Sequence, residues 1–99
     1  MHRAVTNLFS DLPHSMPDEV ITTLAESSHV RIERIVSHGH CSPADFWYDQ
    51  DQHEWVIVLQ GRAKLRIGEV VHELGAGDYL LITAHQRHRV EWTSPDRPL

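Results

Sequence analysis

Alternating apolar and polar residues dominate the chain from residue 30 onward. Seven short segments rich in β-branched and aromatic residues are typical of strands: VRIERIVS, FWYD, EWVIVLQ, AKLRI, VVHEL, DYLLI and HRVEW. Gly61, Gly68, Gly75 and Gly77 separate several of them, and IGEV is typical of a tight hairpin turn. Short strands at close spacing with glycine turns predict an all-β barrel or sandwich.

The first part of the chain follows a different pattern. Proline and two acidic residues at positions 17–19 suit the first turn of a helix. Val20, Ile21 and Leu24 then share one face at helical spacing. We therefore expect one short amphipathic helix over about residues 17–26.

The composition predicts a single soluble domain. A chain of 99 residues is too short for two cores, so we divide it into an arm with the short helix (residues 1–29) and a β-barrel (residues 30–99). No stretch approaches the roughly 20 apolar residues of a membrane span. The net charge of −5 disfavours nucleic acid as a partner, because phosphate contacts need a basic face. Cys41 is the only cysteine and the start lacks an apolar signal core, which predicts a cytoplasmic protein.

Strand alternation places two ionisable side chains on faces that are otherwise apolar. Glu54 shares a side with Val56 and Val58, and His88 shares a side with Trp92. A carboxylate that faces a barrel interior is costly unless it is paired, hydrogen-bonded or bound to a cation. The two residues therefore predict either a metal site or a buried ion pair that closes one end of the barrel.

EWVIVLQG and GDYLLITAHQRH resemble the two motifs of the cupin superfamily, in its small single-domain form. Glu54, six residues and Gly61 match the end of the first motif, and Gly77 with His88 matches the spacing of the second. The resemblance covers roughly residues 30–92. It implies a small cupin-type β-barrel, the double-stranded β-helix.

The sequence departs from the family pattern at the metal ligands. The second motif has Thr83 and His85 in place of its proline and glycine. The two histidines of the first motif would fall at one of two pairs of positions, none of which is histidine: Trp47 with Asp49, or Tyr48 with Gln50. The resemblance therefore implies an altered metal site or a former one.

By resemblance, only the Glu and the His that open the two strands carry over as metal ligands. With neighbouring oxygen and imidazole donors, the candidate ligands are Glu54, His88, Asp49, Gln50 and His85. His38 and His40, one loop earlier, are second-tier candidates among the nine histidines of the chain. Oxygen-rich ligand sets suit harder ions such as manganese. The expected cofactor is one divalent ion, with manganese, iron, nickel and zinc as the candidates.

Apolar residues near this site predict a ligand pocket. Its candidate walls are Trp47, Tyr48, Val56, Val58 and Trp92. The expected function is metal-dependent action on a small polar metabolite. The alternative is a non-catalytic ligand-binding or sensor barrel with a degenerate metal site, and whether the protein is an enzyme is left open.

The strand EWVIVLQ is apolar on both sides, and a domain this small buries little core. Both features predict that a second copy covers the outer face, in a homodimer with extended sheets or exchanged arms. The expected partners are therefore a second copy and a small molecule, with no nucleic acid and no membrane.

Overall fold

The computed structural model describes residues 5–10, 12 and 19–95. The described part folds as seven strands: β1 (Val20–Glu26), β2 (Arg31–Val36), β3 (Glu54–Ile57), β4 (Ala63–Ile67), β5 (Val70–Leu74), β6 (Tyr79–Ile82) and β7 (His88–Thr93). These residues contain no helix, which confirms the all-β fold class. The described part of the chain therefore contains no helix that could cross a bilayer.

The strands form three antiparallel sheets. The first pairs β1 with β2, the second pairs β3 with β6, and the third has the order β5–β4–β7. Ala63 and Leu65 of β4 are buried with Val58 and Leu74 in a small core. β4 and β5 meet in a two-residue turn that begins at Gly68, where φ is +59°, as the segment IGEV predicts.

The predicted helix over residues 17–26 is wrong within the described residues. Val20–Glu26 is strand β1, which pairs with β2 from Val20 opposite Val36 to Glu26 opposite Arg31. Residues 20–23 are Val-Ile-Thr-Thr, a β-branched run that loses side-chain freedom in a helix and packs well in a sheet. A helix of ten residues is marginal alone, whereas β2 satisfies the backbone of the extended form. Residues 17 and 18 of the predicted helix lie outside the described residues, as do residues 1–4, 11 and 13–16 of the predicted arm.

A bulge in β7 changes the expected position of Trp92. Leu65 on β4 lies opposite Val90, but Lys64 lies opposite Trp92, so Glu91 is an extra residue on β7. A bulge reverses the side on which the following residues lie. The Trp92 side chain is consequently outside the barrel, 38% exposed, with the Lys64 ammonium 5.5 Å from its ring centroid. The prediction that Trp92 shares the inner side with His88 is corrected by this register shift.

Candidate functional site

The structure brings the side chains of Glu54 and His88 together. His88, the first residue of β7, is only 6% exposed, and its Nε2 lies 3.5 Å from Oε2 of Glu54, the first residue of β3. His88 Nδ1 is 2.9 Å from the carbonyl oxygen of Gln86. Because a carbonyl can only accept, Nδ1 carries a proton and Nε2 is the nitrogen directed at the carboxylate. The pair is an ion pair whenever the imidazole is protonated.

Tyr48 covers the other side of His88. The Tyr48 N–H donates to the His88 carbonyl at 2.7 Å, and the His88 N–H donates to the Tyr48 carbonyl at 3.1 Å. Their rings stack with centroids 5.3 Å apart and planes 21° apart. The neighbouring Trp47 lies instead beneath the guanidinium of Arg87, 4.8 Å from its ring centroid. Of the two positions at which the family pattern could place its first histidine, Tyr48 is therefore the one beside His88.

A cavity of about 200 Å³ opens beside the Tyr48 ring. Its lining residues come from the start of β1, the loop before β3, and β7: Glu19, His40, Cys41, Ser42, Pro43, Tyr48 and Val90. Burial raises the pKa of the Tyr48 hydroxyl, and the negative charges of Glu19 and Glu54 raise it further. The hydroxyl therefore stays protonated at neutral pH and can donate a hydrogen bond to a ligand.

Sequence reasoning missed Glu19. It lies just before β1, where its Oε2 accepts a hydrogen bond of 2.8 Å from the buried hydroxyl of Ser37. The proline and acidic residues at positions 17–19 instead predicted the first turn of a helix at this point. The β-branched run that begins at Val20 is the signal that could have placed Glu19 beside a sheet instead.

The loop that contains His38 and His40 contributes one of these histidines to the cavity. His40 Nδ1 accepts a hydrogen bond of 2.8 Å from the backbone N–H of His38, and the His40 carbonyl accepts one of 2.6 Å from the Thr93 hydroxyl. These bonds hold the loop against the end of β7. His40 thus lines the cavity, whereas His38 supports it through its backbone.

Asp49 and His85 form a second, exposed pair. Their Oδ1 and Nδ1 atoms are 3.0 Å apart, and both side chains are more than half exposed. The His85 N–H donates to the Gln50 carbonyl at 2.7 Å, so Gln50 contributes its backbone here. His85 has φ of +64°, a left-handed conformation that glycine adopts most easily, at the position where the family motif has its glycine.

The two pairs do not combine into one metal centre. Among residues 5–10, 12 and 19–95, no three His, Cys, Asp or Glu side chains form a group that could hold a metal ion. A protein site usually supplies three or four ligands, and Glu54 with His88 supplies two. The described donor set therefore does not fit the four-ligand site that the family pattern implies.

The two predicted valine walls of the pocket belong to the core instead. Val58 is buried in the cluster around β4, and Val56 packs against that cluster. Val90 of β7 is the valine that lines the cavity. Of the five predicted wall residues, Tyr48 is the one that the cavity includes.

Comparisons with known proteins agree with this architecture. The family model described as "Cupin domain" matches residues 32–99. A proposed mannose-6-phosphate isomerase from Ralstonia eutropha JMP134 is 42% identical, with a TM-score of 0.93 over 97% of this chain and 91% of its own. A cupin superfamily protein from Desulfitobacterium hafniense DCB-2 is 19% identical, with a TM-score of 0.71 over 85% of this chain and 73% of its own, which shows the fold alone. Among curated proteins, none matches significantly. The chain belongs to the cupin domain family, and its fold is the small cupin β-barrel.

Proposed function

We propose that this protein is a cupin that binds a small polar molecule in the cavity beside Tyr48. The observation that carries the proposal is the composition of the wall: Tyr48, Glu19 and His40 share it with apolar Pro43 and Val90. A few polar groups in a partly apolar cavity are typical of small-molecule sites. Drug-sized ligands occupy roughly 300–1,000 Å³. The 200 Å³ here suits a smaller, metabolite-sized ligand.

The name of the Ralstonia neighbour supports a small polar metabolite as the kind of ligand. That protein is named as a proposed mannose-6-phosphate isomerase, and its sequence is 42% identical to this chain. A hexose is therefore a reasonable first probe.

Two matched substitutions test the cavity as the binding site. Tyr48→Phe removes one hydroxyl and keeps the ring stacked on His88, whereas Tyr79→Phe makes the same change on an outer face, where Tyr79 is 65% exposed. Calorimetric titration with mannose should give about two- to tenfold weaker binding for Tyr48→Phe, the value of one neutral hydrogen bond, and no change for Tyr79→Phe. Equal effects of the two substitutions would contradict the proposed site.

A metal-dependent activity on a small polar metabolite is the second candidate. It is favoured by the contact between His88 Nδ1 and the Gln86 carbonyl, which directs Nε2 toward Glu54. Metal-bound histidines are commonly oriented by a hydrogen bond of this kind. The bound ion would be manganese, iron, nickel or zinc. We favour the first candidate because the described residues supply only two ligands, Glu54 and His88.

We further propose that a second copy covers the exposed apolar faces, in a cytoplasmic homodimer. Trp55 and Tyr79, with ring centroids 5.4 Å apart, share an outer face of the β3–β6 sheet with Leu81, and each is more than half exposed. Ile21 and Ile35 lie opposite each other on the β1–β2 sheet and are also exposed. Neither edge of the β1–β2 sheet pairs with another named strand of the described chain. Apolar faces and unpaired edges are both self-complementary, as a two-fold interface requires.

A further inference from the structure

Among the described residues, the wall of the cavity contains a carboxylate and neither lysine nor arginine. Its seven lining residues include Glu19, and the charge of Glu54 also acts on the Tyr48 hydroxyl. Glu19 is partly buried, and the Ser37 hydroxyl orients its carboxylate through Oε2. A carboxylate that is partly withdrawn from water interacts strongly with a nearby charge, because solvent screens it less.

The imidazole in the wall has one ring nitrogen that is already engaged. His40 Nδ1 accepts a hydrogen bond of 2.8 Å from the His38 N–H. This nitrogen therefore offers no donor to an anionic ligand.

The arginine behind the wall is already engaged. Arg89 Nη2 donates to the carbonyl of Ser42 at 3.1 Å, and Arg89 Nε lies 3.2 Å from Oε1 of Glu91. Glu91 Oε1 also accepts a hydrogen bond of 2.8 Å from Arg66 Nε, so the largely buried Arg89 shares this carboxylate with a second guanidinium. Arg89 thus supports the wall through the Ser42 backbone and is not among the residues that line the cavity.

We propose that the cavity selects a small polar molecule that carries an ammonium group and discriminates against phosphorylated ligands. This inference depends on the proposed ligand-binding function and names its ligand class. An ammonium gains a charge-assisted hydrogen bond to Glu19. A phosphate would lie beside the same carboxylate, and the described lining has no lysine or arginine to compensate, which is costly away from bulk water. The ligand class therefore differs from the phosphorylated sugar in the name of the Ralstonia neighbour.

Four sugars with the same ring and different charges test this inference. Mannose is neutral, mannosamine and 6-amino-6-deoxymannose are cations, and mannose 6-phosphate is an anion. In calorimetric titrations at neutral pH, at least one amino sugar should bind about tenfold or more tightly than mannose, the value of a hydrogen bond between charged groups. Mannose 6-phosphate should bind more weakly than mannose. Added sodium chloride should weaken the binding of the amino sugar and leave the binding of mannose unchanged.

Glu19→Gln isolates the charge that the inference depends on. The amide keeps an oxygen that can accept from Ser37, so the variant removes charge with little change of shape. The preference for the amino sugar over mannose should fall to about twofold or less. Glu26→Gln, at the exposed far end of β1, should retain the full preference.

The outcomes separate this inference from the proposed function. Tightest binding of mannose 6-phosphate, or an amino-sugar preference that survives Glu19→Gln, would overturn the charge selectivity while the cavity remained a binding site. If none of the four sugars binds, the proposed function itself is contradicted.

Discussion

Tyr48 and His88 face each other across two reciprocal backbone hydrogen bonds, and their rings lie in contact. One of the two placements that the family pattern allows puts a histidine at Tyr48, where its ring would join His88 and Glu54 around a metal ion. In that placement, a phenol replaces a nitrogen donor with a neutral hydroxyl. The replacement accounts for one of the two missing histidine ligands and for a polar group that the cavity offers to a ligand.

Restoring an imidazole at this position should restore a metal site. In Tyr48→His, the new ring would lie beside His88 and Glu54 and provide the third ligand. We expect the variant to retain about one equivalent of zinc after loading and dialysis, measured by elemental analysis. Trp47→His adds a histidine one residue away, on the side that faces Arg87, and is the matched control. Equal zinc retention by both variants would show that the position beside His88 has no special role.

The wild-type protein should hold much less than one equivalent of divalent metal. This expectation follows from the two-ligand set of Glu54 and His88 and is checked on protein purified without an affinity tag. Glu54→Ala and His88→Ala should leave the small metal content unchanged. One full equivalent in the wild type, lost in both variants, would instead support the metal-dependent candidate.

The alternation of side chains was sufficient to predict that Glu54 and His88 converge, because each begins a strand whose remaining inward residues are apolar. The same rule failed at Trp92, because the extra residue Glu91 reverses the sides of β7 and leaves no mark in the local sequence. The all-β fold and the family could also be predicted from the sequence, since strand spacing and two motifs carry that information.

The contribution of Glu19 could not be predicted in the same way. Its place depends on the pairing of β1 with β2, a contact between segments, whereas the residues around it also satisfy the local pattern of a helix start. His85 shows the converse case. A histidine with φ of +64° is stereochemically unfavourable, and the family motif was the signal that a left-handed residue is needed there.

The Tyr48 hydroxyl should titrate above the usual range of tyrosine. Burial comes first among the causes, and the carboxylates of Glu19 and Glu54 add to it; His88 and His40 are the other titratable groups around the ring. The near-ultraviolet absorbance of phenolate, compared between wild type and Tyr48→Phe, isolates this transition. Glu19→Gln should lower the pKa of Tyr48 toward the ordinary value of about 10. An unchanged transition would mean that Glu19 does not act on the hydroxyl.

The same shift gives a sign for stability at alkaline pH. The pKa of Tyr48 is higher in the folded chain than in the unfolded chain. Its contribution to the free energy of unfolding is therefore complete below about pH 10, and it is lost as the pH rises through the pKa of the folded state. The free energy of unfolding of the wild type should therefore fall more steeply above pH 10 than that of Tyr48→Phe. Denaturant titrations at neutral and alkaline pH measure the difference, and parallel pH profiles would contradict it.

A charge on the outer face of the β3–β6 sheet should dissociate the proposed dimer. Leu81 lies opposite Trp55 in this sheet and is 56% exposed in the single chain, so a second copy that covers this face would bury it. Leu81→Lys would place an unpaired ammonium in that interface, which is costly in a desolvated contact. Light scattering at micromolar concentration should give about twice the chain mass of 11.4 kDa for the wild type and the monomer mass for the variant. Gln52→Lys adds the same charge in the exposed loop before β3 and should remain dimeric. A monomeric wild type, or a Leu81→Lys variant that keeps the dimer mass, would mean that this face is exposed to solvent in the working protein.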